Sequence, residues 1–328
     1  MVCGIGSWLP PRLVTNDDLA ARLDTSDAWI RSRTGIGQRY AVPPGMATSH
    51  LATEAGSRAL RSAGVTEVDF VLVATTTPDR PCPATAPEVA QRLGMAGTPA
   101  FDIAAVCSGF LYALAVGAGL IASGAAHRVL VIGAEAFTTI LDPDDRTTVA
   151  VFGDGAGAVV LRAGHPDEQG ALGAFSLGSD GSLADLITVR AGGSLQRSTG
   201  VRPALADTYF SMQGQQVFAH AVARMAAAAR EALDLVGWKA DEVDRMVAHQ
   251  ANLRILHAVA EQLDLPRERL VIHLDRVANT AAASIPLALA DSVASGTLLP
   301  GQRVLLAAFG GGATWGAMTL IWPALETA

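Results

Sequence analysis

At 328 residues the chain is longer than an ordinary single domain, so its length points to two domains or to one large duplicated one. Half of its residues are hydrophobic and 17% are charged, which supplies a sizeable core and excludes a disordered chain. A net charge of −7 argues against a nucleic-acid ligand, and three cysteines (Cys3, Cys82, Cys107) at no metal-like spacing argue against a disulfide framework or a zinc site and fit a reducing cytoplasm.

The N-terminus has no basic region and meets Pro10-Pro11 before any long apolar run, so no signal peptide is expected. The chain then proceeds from Ala59-Leu60 through Gly64 and Glu67-Val68-Asp69 into the apolar run Val71–Ala74. A strand is predicted at Ala100–Ile103 and a helix after Cys107; the stretch Ile103–Ala126 carries no charge. That stretch is long enough to span a bilayer, but it is crowded with Gly, Ala and Ser and lacks an aromatic belt, so a helix buried on all sides is expected. His127-Arg128-Val129-Leu130-Val131 predicts a strand, and Phe152–Leu161 a glycine-rich turn into another.

The pattern then repeats. Ala232-Leu233, Gly237, Glu242-Val243-Asp244 and Met246-Val247-Ala248 match the first series, and Gln302–Leu306 echoes His127–Val131. Val68 to Val243 and Arg128 to Arg303 share one offset, 175 positions, which chance does not readily produce twice. Two homologous halves follow, 1–166 and 167–328, each with short strands alternating with helices, as in parallel α/β layers. Gln213–Leu235 reads as a helix stopped by Gly237. Two related halves packed together would make a five-layered sandwich.

Three strand-to-helix junctions carry candidate chemistry. Cys107 precedes Ser108-Gly109-Phe110 at a predicted helix start, where unpaired N–H groups and the dipole would lower a thiol pKa and could hold an oxyanion. A small buried hydrophobe is the alternative. His249-Gln250-Ala251-Asn252 closes the strand Met246–Ala248, where active sites of α/β folds gather, or else His249 is a capping or core histidine. Asn279 opens Thr280–Ser284, as an N-cap or as a site residue. The offset carries Cys107 onto Ala282 within that segment, so pseudo-symmetry should bring Cys107 and Asn279 to one centre. Gly153-x-Gly155-x-Gly157 leads into a strand rather than a helix, so close backbone approach is a better account than a dinucleotide loop. Gly310-Gly311-Gly312 is a tight turn or a source of a backbone donor. No histidine spacing suits a metal.

With these residues placed, the chain resembles β-ketoacyl-acyl carrier protein synthase III of the thiolase superfamily. The resemblance rests on Gly4-x-Gly6-Ser7-Trp8-Leu9-Pro10, Asp24–Ile30, Arg33-Thr34-Gly35-Ile36, Val106–Phe110, Phe152–Gly157, His249–Arg254, Asn279-Thr280 and Phe309–Gly312, in order over nearly the whole length. It implies a thiolase-like duplicated αβαβα sandwich. It also implies acyl transfer from acyl-CoA to Cys107, then decarboxylative Claisen condensation with malonyl-acyl carrier protein. His249 and Asn279 would hydrogen-bond the malonyl thioester carbonyl, the N–H groups of Cys107 and Gly311 would form the oxyanion hole, and Phe309 would shield the site. Trp29 and Arg146 would stack the CoA adenine, Arg33 would meet its phosphates, Asn252 and Gly214 would line the pantetheine tunnel, and Arg254 would dock the carrier. No metal or other cofactor is implied. A homodimer is, with the segment around Cys82 crossing to the partner's acyl pocket.

Two departures stand out. Cys82 in Arg80-Pro81-Cys82-Pro83 takes the position of a bulky aromatic in many relatives, which would leave room for an acyl group longer than acetyl. Glu261-Gln262 replaces basic residues that help dock the carrier in some relatives. Both leave room for a polyketide-priming role. The other readings are acyl transfer to an alcohol, amine or carrier without decarboxylation, a cysteine hydrolase with His249 activating Cys107, and a non-catalytic subunit, whose signature would be a missing member of the trio.

Overall fold

The structure is a computed structural model and describes residues 1–326. Its centre is set by two nearly unbroken apolar runs, Arg128–Glu135 and Gly155–Arg162, which lie buried as adjacent antiparallel strands. Strands covered on both faces read as continuous apolar segments rather than alternating ones. Phe70–Ala74 and then Ala100–Ile103 add parallel strands on one side, and Val2–Trp8 adds an antiparallel strand on the other. A second sheet has the order Arg245–Ala248, Arg303–Gly310, Thr314–Ile321, Leu172–Ser179.

The helix Thr48–Ser62 covers the outer face of the first sheet, and Gly214–Val236 with Leu253–Gln262 covers that of the second. Gly109–Ala122 and Ser284–Ala294 lie between the sheets. The result is an α/β sandwich of five layers, αβαβα. The strands of the first sheet all fall within residues 2–162 and those of the second within 172–321.

The repeat is exact in register. Val71 pairs with Leu130 and Met246 with Leu305, each related by the offset of 175 seen in the sequence. Asp69 accepts from the Arg128 N–H at 2.8 Å, and Asp244 accepts from the Arg303 N–H at 2.8 Å. The turns ahead of the two inner helices match as well: Val106 has φ 45° and Ala281 φ 44°. Left-handed backbone at a β-branched valine is costly and persists only where surrounding structure enforces it.

Glycines admit the close contact between layers. A Cβ on Gly157 would lie 2.7 Å from the Leu287 nitrogen, and one on Gly310 would lie 2.7 Å from the Cys107 nitrogen. The run Gly153–Gly157 therefore serves packing, as its strand context suggested. The helix Gly109–Ala122 departs from the expectation of all-round burial: Val116 is 38% exposed on its outer face. Among the described residues no helix is long and apolar enough to cross a membrane.

Candidate active site

One cavity of about 570 Å³ opens where the two pseudo-symmetric turns meet. Cys107, His249, Asn279 and Phe309 line its inner end, and Arg33, Gly214, Asn252 and Arg254 also border it. These residues come from both halves of the chain.

Cys107 follows the left-handed Val106 and leads into the inner helix. It is buried, and burial, with the Glu135 carboxylate second, pushes its thiol pKa up; its own backbone N–H opposes this only partly. This corrects the expectation that the helix terminus would lower the pKa. Such a terminus is worth about 2 kcal/mol at most, and removal of a thiolate from water costs more. Glu135 ends the central strand, fully buried, and accepts from the Thr76 N–H at 3.1 Å and the Thr77 hydroxyl at 2.9 Å. Burial outweighs those bonds and raises its carboxyl to about 7.

His249 is held at its strand end by its N–H to the Ala307 carbonyl at 2.8 Å. Its Nδ1 lies 2.7 Å from the Ser284 hydroxyl. Burial lowers its pKa to about 3, so the imidazole is neutral at physiological pH. The Asn279 side-chain oxygen accepts from the Ala281 N–H at 2.9 Å, which turns its amide nitrogen away from that turn. Asn279 is thus an Asx turn rather than a helix cap. Gln250, quoted in the motif without a role, is a buried tie: it donates to the Ala248 carbonyl at 2.8 Å and accepts from the His273 N–H at 2.8 Å.

Asn252 caps the helix Leu253–Gln262 by accepting from the Arg254 N–H at 2.8 Å, and donates to the Arg33 carbonyl at 3.1 Å. It thereby links the helix Asp27–Thr34 to the cavity edge. Arg33 and Arg254 place two exposed guanidinium groups there. Four predicted residues lie outside the cavity lining. The Arg146 guanidinium sits 5.4 Å from the centre of the Trp29 ring and pairs with Asp24 at 3.0 Å. Gly311 packs on Ile187 just beyond the strand that touches Cys107. Cys82 is exposed and does not reach its own chain's cavity.

The sequence did not reveal the wall beside Cys107. Phe137 and Phe152 stack at 4.3 Å between ring centres, and Phe210 packs edge-on against both at 5.0 Å. All three line the cavity. Phe137 and Phe152 share one connection and Phe210 comes much later in the chain, with no periodic spacing to unite them; the roles of Ser284 and Glu135 were equally silent. Cavity-lining sulfur, neutral imidazole and a free amide nitrogen suit covalent capture of an acyl group followed by stabilisation of a developing oxyanion.

Comparison with known proteins places the chain in a family. Residues 101–181 match the family model of 3-oxoacyl-[acyl-carrier-protein (ACP)] synthase III, and residues 233–322 match the model of its C-terminal part. The chain is 60% identical to β-ketoacyl-[acyl-carrier-protein] synthase III 5 of Streptomyces coelicolor, over 98% of this chain and 97% of the relative. The crystal structure of 3-oxoacyl-(acyl carrier protein) synthase III from Pseudomonas aeruginosa superposes with a TM-score of 0.93 at 50% identity, covering 99% of this chain and 98% of that one. The priming β-ketosynthase of the R1128 polyketide pathway superposes with a TM-score of 0.92 at 32% identity, covering 99% and 96%. With a thiolase-like fold and relatives matched over nearly their full length, the chain belongs to the β-ketoacyl-[acyl-carrier-protein] synthase III family.

Proposed function

We propose that Cys107 takes an acyl group from acyl-CoA and that the resulting thioester is attacked by the enolate of a decarboxylating malonyl-acyl carrier protein, giving a β-ketoacyl product. The protein is an acyltransferase of the β-ketoacyl-acyl carrier protein synthase III type. The observation that carries the residue roles is the convergence of Cys107, His249 and Asn279 on one cavity.

In the first half-reaction the Cys107 sulfur bonds to the acyl carbon, the CoA thiol leaves with a proton, and the N–H groups of Cys107 and Gly311 hold the carbonyl oxygen. In the second, loss of CO2 from the malonyl group leaves an enolate whose oxygen receives hydrogen bonds from His249 Nε2 and Asn279 Nδ2. Its carbon then attacks the acyl carbon and Cys107 departs as thiolate. Phe309 shields this centre from water. Arg33 meets CoA phosphates, Trp29 and Arg146 part to stack the adenine, Asn252 and Gly214 border the pantetheine arm, and Arg254 meets the acidic carrier.

A homodimer is part of this reading. Ala100–Ile103 is an edge strand with Phe101 38% exposed, and Val116 on the helix Gly109–Ala122 of the same half is equally exposed. Cys82 would reach the acyl pocket of the second copy. The site works without a metal or other cofactor in this reading, and the cytoplasm supplies its substrates.

The test supplies acyl-CoA with and without malonyl-acyl carrier protein and follows products by mass. A new carbon–carbon bond that requires the malonyl thioester is expected. His249→Ala and Asn279→Ala should each slow condensation by roughly 10²–10³-fold while Cys107 still becomes acylated. Transfer to water or an alcohol at the same rate, with no condensation product, would overturn the proposal.

A further inference from the structure

The turn that matches the Cys107 turn in the second half carries alanine where the nucleophile would be, at Ala282, yet it keeps the same left-handed geometry at Ala281. Both candidate oxyanion donors are tied to it. Asn279 is oriented by the Ala281 N–H at 2.9 Å, and His249 Nδ1 lies 2.7 Å from the hydroxyl of Ser284, the first residue of the following helix. Ser284 is buried and lies outside the cavity lining, so its hydroxyl has no water as a substitute partner, whereas His249 reaches the cavity with its other ring nitrogen.

The hydrogen-bond balance at this hydroxyl is decisive. Among the described residues Ser284 Oγ has two partners, His249 Nδ1 and the Gln250 N–H at 3.4 Å. The amide can only donate. The hydroxyl proton therefore has one acceptor, His249 Nδ1, which must be unprotonated to receive it. A neutral imidazole with a bare Nδ1 carries its proton on Nε2, the nitrogen left for the cavity.

We infer that Ser284 is a positioning residue that fixes the Nε2–H form of His249 and thereby makes it a hydrogen-bond donor to the substrate oxygen rather than a base toward Cys107. This rests on the proposed condensation and adds the group that selects its donor. It also separates the condensing enzyme from a cysteine hydrolase, in which the same nitrogen would have to be bare to take the thiol proton. The turn in the second half carries no nucleophile and instead orients the donors used against the acyl group on the first.

The test combines ring-nitrogen NMR of His249 with separate assays of the two half-reactions. The wild-type ring should show Nδ1 unprotonated and Nε2 protonated at neutral pH. Ser284→Ala should leave acylation of Cys107 unchanged, slow condensation roughly tenfold to a hundredfold and mix the two ring forms; Ser284→Thr, which keeps the hydroxyl, should recover most of the loss. A wild-type ring protonated on Nδ1 would overturn the inference, and this measurement needs no variant to fold. So would a Ser284→Ala enzyme that condenses at the wild-type rate, or that loses both half-reactions alike with an unchanged ring. Failure of the wild type to condense at all would instead overturn the proposed function, whatever the ring shows.

Discussion

At the scale of single residues, Cys107 and His249 were legible because each follows a strand that an apolar run marks out; Asn279, expected at a third such junction, instead follows the short helix Leu274–Val277 and was found through its offset from the Cys107 turn. Their electrostatics were not legible, because burial is a property of the assembled layers. A helix start predicted a lowered Cys107 pKa; the folded chain raises it through burial and Glu135. Glu135 itself gives a test. Its carboxyl rises from 4.5 to about 7 on folding, so the native chain gains a proton as pH falls through that window while the unfolded chain does not. This contribution is fully present below 4.5 and lost as pH rises through about 7. Glu135→Gln cannot ionise, so its stability relative to wild type should be greatest above about pH 7 and should fall toward pH 4.5, by an amount on the order of 3 kcal/mol. Denaturant unfolding at about pH 5 and about pH 8 checks this; an equal difference at both would contradict it.

Elements were read well where periodicity and glycine punctuation were strong, as at the helix Gly214–Val236, which Gly237 stops in the left-handed conformation. Glycine-rich segments were ambiguous between turn, phosphate loop and packing until their neighbours were known. Gly310 now has a definite role: an added methyl would strike the backbone at Cys107, Ser108 and Ala105, at 2.7, 3.0 and 3.1 Å. Gly310→Ala should therefore shift the nucleophile turn, cost about 1–3 kcal/mol of stability and sharply reduce acylation. Gly214→Ala is the matching control, since a Cβ there meets nothing within 4 Å, and it should unfold as wild type does. Thermal melts check the pair, with acylation measured for Gly310→Ala against the wild type; equal melting of the two variants would refute the close approach at Gly310.

For the whole molecule, the duplication was the most informative signal, because an offset in sequence became an offset in strand register. It predicted a common centre for Cys107 and the Asn279 segment before any contact was known. It could not foretell the stacked phenylalanines, whose members come from segments outside the repeat: 137 and 152 lie in the long connection 136–154, and its counterpart in the second half is the short turn 311–313. Nor could it show what meets the exposed apolar positions Phe101 and Val116. If these form the dimer interface and carry Cys82 into the opposite pocket, Cys82→Phe should remain dimeric and shift donor preference toward shorter acyl chains. Sedimentation with an acyl-CoA panel checks this; a monomer, or an unchanged preference, would remove Cys82 from the acyl pocket.

The central claim is covalent capture at Cys107, and intact-protein mass after exposure to a panel of acyl-CoAs tests it most directly. The wild type should gain the mass of the acyl group, lose it on addition of malonyl-acyl carrier protein, and show no gain in Cys107→Ala. An adduct that survives the substitution, or no adduct with any donor, would contradict the account.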